Sequence, residues 1–317
     1  MDTRPTMSND ESNFVFSFKS MDVLVAGEAM KQHLIEKKKE PLSEEDDAEV
    51  MQAWRDSSDD TIVSSLSRED VDGRSLKRLQ RDVWLNDKII NFSMALLNER
   101  NKVLYSSTKS LRSHFFNSFF LEALVDNEGS FTYEKVREWT SNINVFNAEK
   151  LFFPVHLSNH WMLVVIFMAE KRIQLFDSME SRRSEEAKQS MDNLLMWLSS
   201  ESRRLEELED RRYRAKHVAG KKMKVQQPFF SADEWEISLK WIELIPQQKN
   251  SSDCGVYMIA FADFLSDDLA LSNICPSTIS SYRKKIALYI LRRRIPSYEK
   301  EIIDNDRSKK LHDVLHA

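Results

Sequence analysis

The stretch LFFPVHLSNHWMLVVIFMAEKRIQLFDSM, Leu151–Met179, carries the strongest secondary-structure signal in this chain of 317 residues. Its β-branched and aromatic residues predict three successive strands, at Leu151–Leu157, Trp161–Ala169 and Arg172–Phe176. A Ser-Asn turn separates the first two strands, and Glu170-Lys171 turns the chain into the third. The stretch therefore predicts the centre of a β-sheet.

Helical patterns lie on both sides of these strands. DVWLNDKIINFSMALLNER precedes them and has apolar residues at helical spacing, with Asn86 or Asp87 as its N-cap. RSEEAKQSMDNLLMWLSSESRRLEELEDRRYRAK and SSYRKKIALYILRRRI follow them and also have helical patterns, whereas WEISLKWIELI alternates as a further strand. We therefore predict an α+β fold, with a central mixed or antiparallel sheet flanked by helices.

The composition argues against several classes of protein. Hydrophobic residues make up 41% and charged residues 31% of the chain, with only five glycines, which indicates a helix-rich soluble protein. A net charge of −5 gives no reason to expect a nucleic-acid partner. Two cysteines do not make a disulfide framework and favour a reducing compartment. The chain begins without a secretory signal, and no apolar run approaches the roughly 18 residues of a membrane span.

Composition also divides the chain. Residues 1–60 mix short apolar islands with runs of charge, so we predict a mostly disordered N-terminal tail. Residues 61–297 form the predicted domain, with a charged insertion at about 206–228. Residues 298–317 form a predicted C-terminal tail.

Cys254 lies in PQQKNSSDCGVYMIAFADFL, Pro246–Leu265. The apolar run after it predicts a helix that begins near Cys254, with Asp253 as its N-cap. A helix N-terminus favours the thiolate, the form in which cysteine attacks a carbonyl carbon, and Gly255 would let a substrate backbone approach closely. The alternative is that Cys254 is a buried core residue, a reading that fits Cys275 better.

A nucleophilic cysteine needs a base, and the base needs a group that orients it. Among the seven histidines, His160 is best placed, at the head of the second strand, and Asp177 follows the third strand. In an antiparallel hairpin the start of one strand lies beside the end of its partner, so the two side chains are expected to be neighbours. The alternative for Asp177 is an ordinary turn residue.

Gln248 is a candidate for stabilising the negative charge that acyl transfer places on the carbonyl oxygen. It lies six residues before Cys254, and its side-chain amide is a neutral donor of the required kind. The backbone N–H of Cys254 is a second candidate donor. A surface glutamine without a role is the alternative, which spacing alone does not exclude.

Four blocks of sequence, taken together, closely resemble the Ulp/sentrin-specific protease family, the cysteine proteases that process SUMO and remove it from its targets. They are, in chain order, WLNDKIINF, FPVHLSNHW, LFDSM and PQQKNSSDCGVY. FFNSFF and VREWTSNINVF are also similar to that family, and the similarity covers roughly residues 60–297. Ser251 departs from it, since many relatives have glycine there. The resemblance implies a papain-like fold of the Ulp type.

The resemblance implies catalytic roles for the candidates above. The triad of the family corresponds to His160, Asp177 and Cys254, and its oxyanion glutamine corresponds to Gln248. No metal or cofactor is implied.

The resemblance also implies a substrate-binding tunnel. Trp84 and Trp161 would cover a narrow slot for the Gly-Gly end of the modifier, next to Gly255, and Asp87 would contact the body of the modifier. Two flat indoles admit only a dipeptide without side chains, so Gly-Gly is selected by the exclusion of bulk. We therefore expect Trp161 to be exposed rather than a core residue.

The function predicted from the sequence is a SUMO-specific cysteine protease that matures precursors or removes SUMO from target lysines. A protease for NEDD8 or ubiquitin is one alternative, and an inactive SUMO-binding module is another. We expect a monomer that binds SUMO and sumoylated proteins. The family resemblance implies residence in the nucleus, with the cytoplasm as a further location.

Overall fold

The computed structural model describes residues 27–105, 111–179, 184–216, 230–239, 245–296 and 298. The helices within these ranges are α1 (27–39), α2 (Glu44–Asp56), α3 (Gly73–Lys77), α4 (Asp87–Leu104), α5 (Phe120–Ala123), α6 (Ser184–Lys216), α7 (Cys254–Ser266) and α8 (Pro276–Arg292). The strands are β1 (Ile62–Leu66), β2 (Glu69–Asp72), β3 (Leu111–Phe115), β4 (Ala148–Leu157), β5 (His160–Phe167), β6 (Arg172–Phe176) and β7 (Glu236–Ser238).

The five strands β3 to β7 form one sheet in chain order, and β1 and β2 form a separate hairpin. β4, β5 and β6 are antiparallel to one another, whereas β3 and β7 add in parallel at the two edges. This mixed sheet with helices on both faces confirms the predicted α+β class. Asn86 caps α4 by accepting a hydrogen bond from the backbone N–H of Ile89, as predicted.

The central strand β5 divides the core into two layers. Trp161 and Leu163 belong to the layer that the sheet shares with α4, α7 and α8. Met162 and Val164 belong to the layer on the opposite face, which includes residues of α6. All eight residues of β5 are buried, so the strand is apolar on both faces instead of alternating.

Residues 27–56 pack onto the domain, and the predicted disorder is wrong for them. Leu34 of α1 and Val50 and Trp54 of α2 are buried in the layer that contains α7 and α8. The indole Nε1 of Trp54 donates a hydrogen bond to the carbonyl oxygen of Leu76 at 3.1 Å. These few apolar side chains pack against a core formed by segments that are distant in the chain. Residues 27–56 therefore fold without a core of their own. Residues 1–26 lie outside the described residues.

A buried ionic cluster attaches α1 to α7. The Nζ of Lys38 lies 2.6 Å from Asp263 Oδ1 and 2.7 Å from Asp267 Oδ2. Arg100 of α4 contacts the same two carboxylates. Burial disfavours the ionised form of Asp263, but the charges of Lys38 and Arg100 outweigh that effect and lower its pKa. Two cations and two anions therefore balance one another inside the protein.

Replacing Lys38 with methionine should lower the free energy of unfolding by about 3–5 kcal/mol, because it leaves two buried carboxylates with one cation. Urea denaturation measures the change. Lys37→Met is the matched control: the Lys37 amine forms an exposed pair with Glu40, and its loss should cost less than about 1 kcal/mol. Equal effects of the two substitutions would contradict a stabilising role for the cluster.

The predicted insertion and the predicted C-terminal tail are described only in part. α6 continues to Lys216 and so includes the first half of the segment 206–228. Residues 217–229 and 299–317 lie outside the described residues. Within the described ranges, no helix is both long and apolar enough to cross a membrane.

Candidate active site

The β5–β6 hairpin brings His160 and Asp177 together, as its strand order predicts. His160 is the first residue of β5, and Asp177 directly follows β6. The Nε2 of His160 lies 2.6 Å from Asp177 Oδ1, and the backbone N–H of Met179 donates to the same oxygen at 2.9 Å. Both side chains are buried. The carboxylate therefore holds the imidazole in one orientation.

Cys254 is the first residue of α7 and is only 4% exposed. Its sulfur faces the imidazole of His160 closely enough to contribute to the raised pKa of that ring. Since Nε2 of that ring is bonded to Asp177, Nδ1 is the nitrogen that remains for the sulfur. The three side chains form a continuous Cys–His–Asp arrangement, although they come from α7, β5 and the end of β6.

The protonation of His160 depends on both of its neighbours. Burial disfavours the imidazolium, but the hydrogen bonds and charges of Asp177 and Cys254 outweigh burial and raise the pKa of His160 to about 9. The ring is therefore cationic at neutral pH. An imidazolium beside a cysteine favours the thiolate, and so does a helix N-terminus.

Asp253 stands at the N-cap position of α7, but the prediction that it caps the helix is wrong. Its side chain accepts no hydrogen bond from the helix backbone. The carboxylate accepts hydrogen bonds from Arg283 and Asn250 instead. The backbone N–H groups of the first turn consequently have no side-chain cap and remain able to stabilise a negative charge.

Gln248 lies beside the end of β6, next to Asp177. Its backbone N–H donates to the carbonyl oxygen of Ser178 at 2.8 Å, and its Oε1 accepts from the Ser178 hydroxyl at 2.7 Å. Its Nε2 donates to the carbonyl oxygen of Asn250 at 2.6 Å. These contacts assign the amide oxygen and nitrogen, and one of the two N–H bonds of the amide is left for another acceptor.

The four residues predicted to bind substrate differ in exposure. Trp84 is 47% exposed, and Asp87 is a partly buried first-turn residue of α4. Gly255 faces Trp161 and Leu85: a Cβ at Gly255 would lie 3.1 Å from Leu85 Cβ and 3.2 Å from Trp161 Cδ1. A larger residue at 255 would therefore displace these two side chains.

Trp161 is buried, and the prediction that it is exposed is wrong. It is 5% exposed, and its indole Nε1 donates to the carbonyl oxygen of Leu85 at 3.1 Å. Its ring lies against the imidazole of His156, with the ring centroids 4.4 Å apart. This burial could not be predicted from neighbouring residues, because Leu85 is 76 residues away in the chain.

Trp161→Ala should therefore lower the free energy of unfolding by about 3–5 kcal/mol, the usual cost of truncating a buried tryptophan. Chemical denaturation monitored by circular dichroism measures the loss. Trp84→Ala is the matched control, since that indole is half exposed and its removal should change stability far less. A Trp161→Ala protein as stable as the Trp84→Ala protein would contradict the burial argument.

Three residues of the site are not among the predicted ones. Ser178 and Asn250 hold the Gln248 side chain, and Arg283 of α8 holds Asp253. Ser178 adjoins Asp177, and Asn250 lies in the same loop as Gln248, so proximity in the chain could have indicated both. Arg283 gives no such signal, because an arginine in an amphipathic helix is usually exposed.

Comparisons with known proteins agree with this geometry. The model of the Ulp1 protease family, C-terminal catalytic domain, matches residues 83–295. Ubiquitin-like-specific protease 1A of Arabidopsis thaliana is 30% identical over 236 residues, which cover 73% of this chain and 41% of that protein. Sentrin-specific protease 2 of Homo sapiens is 30% identical over 254 residues, which cover 80% of this chain and 38% of that protein.

Solved structures show the same fold. The C-terminal Ulp1 protease domain in complex with SMT3, the yeast ortholog of SUMO, is similar with a TM-score of 0.60 at 26% identity, covering 80% of this chain and 96% of that chain. The catalytic domain of the Chaetomium thermophilum Ulp1-like SUMO protease is similar in fold, with a TM-score of 0.62 at 20% identity, covering 81% of this chain and 92% of that chain. The chain spans less than half the length of the two curated relatives above. With its family match over most of the domain, this chain belongs to the Ulp1 protease family.

Proposed function

We propose that this chain is a cysteine protease that cleaves after the Gly-Gly end of SUMO, in a precursor or in an isopeptide bond to lysine. The observation that carries the proposal is the Cys254–His160–Asp177 arrangement at the N-terminus of α7. The family match and the Ulp1 domain in complex with SMT3 support SUMO as the modifier. Residence in the nucleus stays a prediction.

The first half of the reaction forms a thioester. The Cys254 thiolate attacks the carbonyl carbon of the terminal glycine, and the electron pair of the C=O bond moves to the oxygen. The Cys254 backbone N–H and the Gln248 amide donate hydrogen bonds to that oxyanion. The C–N bond then breaks as His160 donates its proton to the leaving amine.

The second half releases the modifier. Neutral His160 takes a proton from water, and the resulting hydroxide attacks the thioester carbonyl carbon. The C–S bond breaks, Cys254 leaves as the thiolate, and His160 is again an imidazolium. The SUMO carboxylate is the product, and no metal or cofactor takes part in these steps.

The packing around Gly255 bears on the selection of Gly-Gly. Leu85 and Trp161 lie against its Cα, and the half-exposed Trp84 directly precedes Leu85. Gly255 and Trp161 are buried here, so a substrate backbone that passes this point meets the exposed indole of Trp84. We expect a tail with larger side chains before the cleaved bond to be excluded by bulk.

The test uses full-length SUMO, NEDD8 and ubiquitin that each carry a C-terminal vinyl sulfone. We expect a covalent adduct with the SUMO probe, located at Cys254 by mass spectrometry. An adduct with only the NEDD8 or ubiquitin probe would identify a protease for that modifier instead. Binding of SUMO without any adduct would support the inactive binding module.

A further inference from the structure

Arg283 of α8 is a fully buried cation in contact with the loop that precedes Cys254. It is 2% exposed. Its Nε and Nη2 donate to Asp253 Oδ1 at 2.8 and 2.6 Å, and Nη2 also donates to the Ser252 carbonyl oxygen at 2.9 Å. Its Nη1 donates to the carbonyl oxygens of Arg78 and Gln80 at 3.2 and 3.1 Å. All five N–H bonds of the guanidinium are therefore used.

We infer that Arg283 is a positioning residue for Cys254, which it serves by holding the Asp253 carboxylate away from the first turn of α7. It acts through Asp253 and the loop backbone. This role deepens the proposed function. Only the measurements of SUMO cleavage rest on that function, whereas the reactivity of Cys254 does not.

The physical reason lies in the capping preference of aspartate. An aspartate at an N-cap ordinarily accepts a hydrogen bond from the second or third N–H of its helix. Here those groups belong to Gly255 and Val256, in the same turn as Cys254. A carboxylate turned toward them would place a negative charge beside the sulfur and oppose the thiolate. Arg283 supplies a stronger, doubly bonded and charged partner that keeps the carboxylate away.

The charges around Cys254 come from three directions. His160, which is paired with Asp177, faces it from the sheet, Asp253 precedes it in the chain, and Arg283 is paired with Asp253 from α8. Among these groups, only the Asp253 carboxylate lies directly before α7 and yet bonds to another element, Arg283 of α8, instead of to the backbone of α7. Arg283 therefore determines whether the Asp253 carboxylate points toward the first turn of α7 or away from it.

The influence of Arg283 also extends to Gln248. The second carboxylate oxygen of Asp253 accepts a hydrogen bond from Asn250 Nδ2 at 2.8 Å. The Asn250 carbonyl oxygen in turn accepts one from Gln248 Nε2 at 2.6 Å. A continuous chain of hydrogen bonds therefore runs from Arg283 to the amide that is proposed to bind the oxyanion.

A second set of contacts reaches the segment that precedes Trp84. Arg283 bonds the carbonyl oxygens of Arg78 and Gln80, and the Arg78 side chain donates to the carbonyl oxygen of Trp84 at 3.2 Å. One guanidinium thus ties the loop before the nucleophile to the segment that ends at Trp84. Lysine, with a single nitrogen, could not make both sets of contacts.

The test replaces Arg283 with methionine and measures the pH dependence of Cys254 alkylation by iodoacetamide, read by mass spectrometry of the Cys254 peptide. We expect the midpoint of the profile to move up by about one pH unit, since a carboxylate now faces the sulfur. Cys275, alkylated in the same tube, is the internal reference and should keep its midpoint. The kcat for SUMO precursor should fall about 10- to 100-fold with a smaller change in KM.

The double variant R283M/D253N distinguishes positioning from simple stabilisation. Removing the charge of Asp253 should return the alkylation midpoint to that of the wild type, although the lost arginine contacts are not restored. Thermal melting gives the folded fraction of each variant. A smaller folded fraction lowers the alkylation rate at every pH by the same factor and leaves the midpoint of the pH profile unchanged. If R283M does not fold, R283K, which keeps the charge, replaces it, with a smaller shift expected.

An unchanged midpoint in the folded R283M or R283K protein would overturn the inference, as would a shift that D253N does not reverse. Alkylation requires no modifier, so this result is independent of the proposed function. A wild type that cleaves no SUMO but shows the reversible midpoint shift would refute SUMO cleavage and leave the role of Arg283 intact.

Discussion

Cys254→Ser should lower the rate of SUMO precursor cleavage by at least about 10⁴-fold, the scale of loss when a protease nucleophile is removed. Serine keeps the size of the side chain, but its hydroxyl does not ionise beside His160 as a thiol does. Binding of SUMO should survive, because the surface residues around Cys254 are unchanged. Precursor cleavage followed by gel electrophoresis and calorimetric titration with mature SUMO measure the two properties.

Cys275→Ser is the matched control for this substitution. Cys275 is the N-cap residue of α8 and is partly exposed, and its thiol contacts Ser277 and Thr278 rather than a histidine. The control protein should cleave at the wild-type rate. Comparable activity of the Cys254→Ser protein, or loss of activity in the Cys275→Ser protein, would remove Cys254 from the role of nucleophile.

Asp177→Ala should lower kcat/KM by about 10³- to 10⁴-fold, because His160 loses both its orienting acceptor and the neighbouring negative charge. Asp177→Asn separates the two contributions. Its amide oxygen can still accept from His160 and from the Met179 N–H, the two donors that Asp177 Oδ1 now serves, but the charge is gone. We expect the asparagine protein to be more active than the alanine protein and less active than the wild type.

Asp177→Asn should also change how the stability of the folded protein depends on pH. The pKa of His160 in the folded protein, about 9, is above its ordinary value of 6.5. Its pairing therefore stabilises the fold fully below about pH 6.5, and the contribution is lost as the pH rises through about 9. Asp177→Asn should accordingly lower the melting temperature more at pH 6 than at pH 10. An equal loss at both values would contradict the charged pair.

The strands β4, β5 and β6 and the relation between His160 and Asp177 could be predicted from the sequence. β4, β5 and β6 are joined by short turns, so each strand pairs with a segment that lies close in the chain. Hairpin pairing then places the first residue of β5 near the end of β6 without further information. The helix at Cys254 was also predictable, because an uninterrupted apolar run begins there. Local contacts of this kind are encoded within a few residues.

Other parts of the site depend on partners that are remote in the chain. Lys38 pairs with a carboxylate 225 residues away, which is why a segment that looks disordered by composition instead completes the core. Trp161 is buried by Leu85, and Asp253 is drawn from its capping position by Arg283, 30 residues further on. Propensity favours a capping aspartate, but a buried guanidinium with five hydrogen bonds outweighs a single cap.

By itself, the sequence determined the strands β4, β5 and β6 and the start of α7, because each follows from periodicity and turns within a short window. Residue chemistry made His160, Asp177 and Cys254 candidates, and the family resemblance singled them out. Only the tertiary structure decided that Trp161 is buried, that α1 is part of the domain and that Asp253 does not cap α7. In each of these cases a charge or an aromatic ring gains more from a distant buried partner than from its neighbours in the chain, and folding is needed to bring that partner close.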